Sequence, residues 1–248
     1  TCCAVCSAGD RRAGMKRFWN EARAVPEGEG FAVHLDGRPV RLPSGAPLSV
    51  RTRPLAEALA AEWQSAGGGP GGEMRWEDVP LTRLAGTAAE RIAPAPEATV
   101  AALAKYAETD LLCYRATEPD LAARQAEAWQ PWLDWAAARL GARLSVTAGL
   151  MPIAQPPAAV AALSGRLLAL DPLRLSALGV LVPGLGSLVL GLAVLERALA
   201  VEEAHRLALL DELYQEELWG LDAEAAARRE RVAADLAQAA RLLDLAAA

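Results

Sequence analysis

The sequence predicts an α+β fold: a small N-terminal α+β domain followed by an all-helical C-terminal domain. Three observations predict it. Strand-type alternation with a D-G turn is concentrated between Phe31 and Val50. From Leu121 onward the apolar residues recur at helical spacing, apart from a short Leu144-Ser145-Val146 stretch. Hydrophobic residues make up 53% of the 248 and charged residues 23%, which is enough to build cores and excludes disorder of the whole chain.

The expected organisation is a disordered leader over residues 1–15, an N-terminal domain over 16–120 and a C-terminal domain over 121–248. Cys2, Cys3 and Cys6 crowd the leader, and Met15 opens a plausible protein at Lys16-Arg17-Phe18. Phe31 to Leu35 alternates as a strand, Asp36-Gly37 turns the chain, and Pro39 to Leu42 returns it, so a hairpin is expected. Leu48-Ser49-Val50 is a further extended piece. Thr52 then stands where a helix cap belongs, ahead of Arg53-Pro54, and Leu55, Leu59 and Trp63 form the buried face of that helix. Gly67 to Gly72 is a flexible loop. Pro80 to Leu84 leads into a helix from Ala85 to Ile92, which Pro94 and Pro96 end. Thr99 is a candidate cap for the next helix, whose Val100, Leu103, Tyr106 and Leu111 point to a core.

In the C-terminal part Trp129, Trp132 and Trp135 lie on roughly one helical face, which suits either core packing or an interface. Pro152, Pro156 and Pro157 mark a loop before a helix from Ala158 to Leu170. Leu175 to Leu195 is uncharged over a length that could span a bilayer. Pro183-Gly184 and Gly186 break it, and neither an aromatic belt nor a basic cluster flanks it. Two short buried helical pieces joined at Pro-Gly are expected, with no stable membrane insertion. The final helix, Asp222 to Leu245, turns Val232, Leu236, Ala239 and Leu243 inward.

Charge and motif content narrow the function. The net charge is −6 and the acidic excess is spread over both halves, so no basic face is available to neutralise a phosphate backbone and nucleic acid is not an expected partner. No Walker A loop, dinucleotide fingerprint, G-x-S-x-G elbow or H-E-x-x-H helix is present. Cys3 and Cys6 have C-x2-C spacing, but no second pair follows and the chain has only His34 and His205, so no metal and no cofactor are expected. The cysteine distribution implies no disulfide framework and suits a reducing compartment. Cys113, between apolar neighbours, reads as a buried thiol, and Asp110 as a cap or a partner of Arg115 or Lys105. An enzyme would need a site assembled by tertiary contact around His34, Cys113 or scattered carboxylates, and that remains the alternative reading.

Leu207 to Gly220 sets carboxylates among large apolar side chains. If Glu202 to Trp219 is one helix, Leu207, Leu210, Tyr214 and Leu218 form one stripe with Asp211 beside it. Leu209 and Leu213 face nearly the other way, near Glu212 and Glu216. Such a helix is either sandwiched or leaves one apolar strip for a partner, with the carboxylates steering a basic surface. The alternative is a solvated acidic face. Leu209, Asp211, Glu212, Leu213 and Glu216 are therefore the candidate partner-binding residues.

Several motifs in order carry a family resemblance over nearly all of the chain after the leader. They are Lys16-Arg17-Phe18-Trp19, Leu35-Asp36-Gly37-Arg38-Pro39-Val40, Pro80-Leu81-Thr82-Arg83-Leu84 with Thr87-Ala88, and YAETDLLCYRA from Tyr106 to Ala116. Gln125 with Trp129-x-Pro131 and Trp135, Gly186-Ser187-Leu188, and Tyr214-Gln215 through Trp219-Gly220 continue the series. The chain resembles the ATP12-type assembly chaperones of the F1 part of ATP synthase. The resemblance implies a small α+β domain followed by a helical one, and no enzymatic activity. It also implies binding of the free F1 alpha subunit, with its beta-contacting surface shielded until the hexamer forms. A functionally important acidic residue of the family precedes the Tyr-Gln element, in the neighbourhood of Asp211 and Glu212. If it is a glutamate aligned to Asp211, this chain departs by one methylene. Mitochondrial members carry a transit peptide, and this chain shows no persuasive one, so a cytoplasmic, alphaproteobacterial member is expected; a monomer is expected as well.

Overall fold

A computed structural model describes residues 15–149, 151 and 153–247. The expectations for the leader and its cysteines fall outside these residues, apart from Met15. The packing divides the chain into two units, Thr1–Arg83 and Leu84–Ala248. The expected α+β architecture followed by helices is observed.

In the first unit β1 (Met15–Lys16) precedes a small antiparallel sheet. Its central strand β3 (Gly30–Leu35) is flanked by β2 (Ala22–Glu27) on one side and by β4 (Arg38–Pro39) and β5 (Ser49–Val50) on the other. The β3–β4 turn is the expected Asp36-Gly37, both at positive φ, 46° and 79°. Strand β2 escapes prediction because Ala22, Ala24 and Val25 give only a weak alternation and Pro26 interrupts it. Proline is tolerated there because the strand lies on the sheet edge. Helix α1 (Arg53–Ser65) covers the sheet through Leu55, Leu59 and Trp63, as the spacing predicts. Trp19 is fully buried, its ring 5.2 Å from that of Trp63, and its indole N–H donates to the Trp63 carbonyl at 2.9 Å. The chain returns through β6 (Glu73–Met74), which pairs with β1. Helix α2 (Pro80–Thr87) begins five residues before the predicted Ala85. Glu62 explains the difference: its carboxylate accepts from the Leu81 and Thr82 amides at 2.7 and 3.0 Å, capping the helix from another element.

The division between the units falls inside α2, ahead of the boundary expected at residue 120. The reason lies in α3 (Pro96–Ala104), which packs against two helices of the second unit, α5 (Pro157–Leu168) and α6 (Pro172–Leu185). Helix α3 starts at Pro96, with Thr99 inside it, so Thr99 is not its cap. The long helix α4 (Pro119–Leu140) ends at Gly141 in the left-handed conformation, φ 69°. Before it, β7 (Tyr114–Arg115) pairs in parallel with β8 (Thr147–Ala148), just beyond the predicted extended stretch.

Helices α6 and α7 (Leu188–Leu195) are the apolar centre of the unit. They are the two buried pieces expected of Leu175 to Leu195, but they join at Gly186-Ser187 and not at Pro183-Gly184. Pro183 sits in the last turns of α6, and Gly186 adopts φ 64°, which a side chain would strain. No helix among the described residues is long and apolar enough to cross a membrane. Asp110 ties this centre to the preceding loop. It is fully buried and accepts from the amides of Leu112 at 3.1 Å and Val189 at 3.0 Å, with the Ser187 hydroxyl also bonded to it. It therefore caps and does not form the ion pair with Arg115 or Lys105 that was one expectation. Helices α8 (Val201–Ala208), α9 (Leu210–Trp219) and α10 (Ala223–Ala247) complete the unit, α10 burying Leu236, Ala239, Leu242 and Leu243.

Candidate functional site

The expected single helix from Glu202 to Trp219 is broken at Leu209, which separates α8 from α9. Leu209 has φ −91° and ψ 4°. The cause is visible on α4. Trp129, fully buried, donates its indole N–H at 3.0 Å to the carbonyl of Leu207, a group that would otherwise continue the helical ladder. Insertion of a side chain into the ladder is a recognised origin of helix kinks.

The break lets α9 lie beside α4 and opens a groove of about 500 Å3 between α4 and the α8–α9 segment. Its apolar lining is Trp132 from α4 with Leu207, Leu210, Leu213 and Tyr214. Charged side chains at the groove are Arg124, Glu127, Glu203, Arg206 and Glu217. Arg124 donates to Glu217 at 2.8 Å and lies 5.1 Å over the Tyr214 ring. Arg206 pairs with Glu203 one turn away. Both arginines are thus neutralised inside the protein, and Glu127 supplies the remaining negative charge. Past the groove, at the end of α9, Leu218, Trp219 and Leu221 are exposed by 57%, 78% and 68%.

The five sequence-nominated residues divide. Leu213 lines the groove. Leu209 is the break itself. Asp211 is half-buried and accepts from the side-chain amide of Gln125 at 2.7 Å. Glu212 receives Arg228 at 2.9 Å and Arg229 at 3.1 Å, and Glu216 also binds Arg229, so these carboxylates hold the start of α10. The hydrogen bond to Glu216 is the main reason the Arg229 guanidinium titrates above its ordinary range. The spacing nominates Glu212 and Glu216 as charges that steer a basic surface; in the fold arginines of α10 engage both.

Beneath the groove a buried cluster underlies α4. Gln125, 2% exposed, accepts the Ala116 amide N–H at 2.6 Å and donates to Asp211. Arg115 lies 5.3 Å over the Trp129 ring and donates to the Leu112 carbonyl, while its second terminal nitrogen is buried without a hydrogen-bond partner. Burial lowers the Arg115 pKa, opposed by the nearby Cys113 and Asp211. Sequence reasoning offers Arg115 only as a partner of Asp110 and Gln125 only as part of a motif, and assigns neither to the partner-binding site. The signal available for Gln125 was a polar residue four from both Leu121 and Trp129, on an otherwise apolar helical face.

The residues of the alternative enzymatic reading have other duties. His34 keeps its Nδ1 3.2 Å from the Gly37 carbonyl within the hairpin. Cys113 is buried, and burial first, then the charge of Asp110, pushes its thiol up to about 12, so it carries no thiolate chemistry at neutral pH. Among the described residues no group of three or more histidine, cysteine, aspartate or glutamate side chains could hold a metal ion.

Comparison with known proteins places these features in context. The family model described as ATP12 chaperone protein matches residues 16–137. Among solved structures, Atp12 from Paracoccus denitrificans is similar at 41% identity, over 93% of this chain and 98% of that one, with a TM-score of 0.87. An aspartate-to-lysine mutant of that protein matches at 40% identity, over 93% and 97%, with a TM-score of 0.87. A candidate chaperone from Agrobacterium tumefaciens matches at 38% identity, over 92% and 85%, with a TM-score of 0.86.

Proposed function

This chain belongs to the ATP12 family of assembly chaperones, and on that premise we propose that it binds the unassembled F1 ATP synthase alpha subunit, shielding the beta-contacting surface until the hexamer forms. The observation that carries the reading is the groove between α4 and α8–α9. It is an apolar floor of Trp132, Leu210, Leu213 and Tyr214 at the surface of a chain of this family. An unassembled subunit exposes an apolar interface prone to aggregation, and such a floor can cover part of it. The exposed Leu218, Trp219 and Leu221 extend the same apolar surface beyond the groove.

Within this reading Leu213 makes direct contact, while Leu209, Asp211, Glu212 and Glu216 shape the α8–α9 segment that presents it. The rim arginines are already paired within the chain, so a partner need not neutralise them, and Glu127 favours a partner cation nearby. Release must remain possible, so the binding has to be displaceable, and competition by the beta subunit is the simplest release step. The protein acts as a monomer in the bacterial cytoplasm. Co-purification with newly made alpha subunit, followed by addition of beta, tests the reading. Capture of alpha and its displacement by beta are expected; a folded protein that captures no alpha overturns it.

A further inference from the structure

We propose that Asp211 acts as a positioning residue: its carboxylate is held by Gln125 to set the course of α9 and thereby the shape of the groove, and it does not itself meet the partner. The inference rests on the reading of that groove as the alpha-subunit site. It starts from the amide of Gln125. The Ala116 backbone N–H can only donate, so the side-chain oxygen of Gln125 must face it, as it does at 2.6 Å. The amide nitrogen is thereby forced toward α9, where it needs an acceptor, and Asp211 supplies one at 2.7 Å. Gln125 is 2% exposed and lies below any docking partner.

The second half of the device is Trp129, one turn further along α4. Its indole N–H holds the Leu207 carbonyl at 3.0 Å. Residues 125 and 129 are four apart on α4, and they grip 211 and 207, four apart across the break at Leu209. Helix α4 therefore pins the chain on both sides of the bend. Beyond that pin no residue of α9 is fully buried. Its remaining polar ties are the exposed Arg124–Glu217 pair and the carboxylate–arginine contacts to α10. Leu210, Leu213 and Tyr214 of the groove ride on the element that the pin directs.

The test exchanges the polarity of the hydrogen bond in the full-length protein. Binding to F1 alpha subunit, hydrogen exchange of the α9 amides and melting temperature are followed together. Gln125→Glu faces one carboxylate with another, and Asp211→Lys removes the acceptor. Each is expected to weaken binding by about tenfold or more and to speed exchange in α9. In Gln125→Glu/Asp211→Asn the new carboxylate accepts from Ala116 and from the new amide at 211. Binding is then expected within about threefold of wild type, although the charge has left position 211. Asp211→Asn alone keeps an acceptor for Gln125 and is expected to stay within the same range, which preserves the test if Gln125→Glu fails to fold. A double variant that melts like wild type but binds as weakly as Asp211→Lys overturns the proposal, as does an equal loss in Asp211→Asn. So does α9 exchange that Gln125→Glu leaves unchanged. If wild type captures no alpha while α9 exchange still follows the swap, the chaperone reading falls and the pin stands.

Discussion

Asp110 shows what one side chain contributes by its placement. Loss of hydration on burial pushes its pKa from 3.8 up to about 6, against the lowering effect of the Val189, Ser187, Leu112 and Leu188 hydrogen bonds. The folded state therefore binds this proton more tightly than the unfolded chain does. The resulting stability is complete below pH 3.8 and is lost as pH rises through about 6. The size expected from the shift is about 3 kcal/mol. Asp110→Asn cannot titrate, so the difference in unfolding free energy between wild type and variant should change by that order across the window, to the disadvantage of wild type at higher pH. Urea denaturation at a series of pH values measures it, and a flat difference would contradict the buried ionisation. Sequence allowed Asp110 as a cap or as a partner of Arg115 or Lys105, but did not point to Val189. Val189 is far along the chain, and only folding brings its amide to the carboxylate. Gln125 was harder to assign, since its burial and both its partners are tertiary facts.

Helices α6 and α7 illustrate the next scale. A Cβ on Gly191 would stand 2.7 Å from Val182 Cγ2, and Val182 is fully buried with a stiff β-branched side chain. Gly191→Ala should therefore destabilise by about 1–2 kcal/mol, the overpacking cost exceeding the gain in helix propensity. Gly165 in α5 has nothing within 4 Å of the same added atom. Gly165→Ala should stabilise by up to about 1 kcal/mol. Urea midpoints of the two variants should move in opposite directions; a shared direction would mean that α6 and α7 do not approach so closely. Helices α1, α3, α4, α5 and α6 each place proline in the first turn, where its missing N–H costs nothing, but only Arg53-Pro54 reads as a start in the sequence: Pro96 reads as the end of the preceding helix, and Thr99 as the cap of the next. The break at Leu209 was not legible. No glycine or proline marks it, because its cause is an indole from a distant helix.

Across the molecule, protection should follow burial. The amides of α6 and α7 are expected to exchange slowest within the second unit. Those of α9, which buries no residue fully, should exchange faster by orders of magnitude. Exchange followed by mass spectrometry checks this, and equal protection of α9 and α7 would contradict a weakly anchored groove wall. The low protection of α9 and its role as one side of the groove have the same origin, since a wall that a partner can use is one that the core does not cover. The α+β start, the helical remainder, the Asp36-Gly37 hairpin and the buried nature of Leu175 to Leu195 followed from the sequence alone. Periodicity, turn chemistry and proline placement are local, and they act through neighbours on the chain. The edge strand β2, the division at Arg83, the bend between α8 and α9 and the groove were decided by tertiary structure. Each depends on a contact between residues far apart in sequence: β2 on its ladder with β3, α3 on its packing against α5 and α6, and α9 on Trp129 and Gln125. The same reason separates the nominated residues from their roles. Spacing put Asp211, Glu212 and Glu216 on one helix from Glu202 to Trp219, but the arginines of α10 and the amide of Gln125 determined what each carboxylate binds.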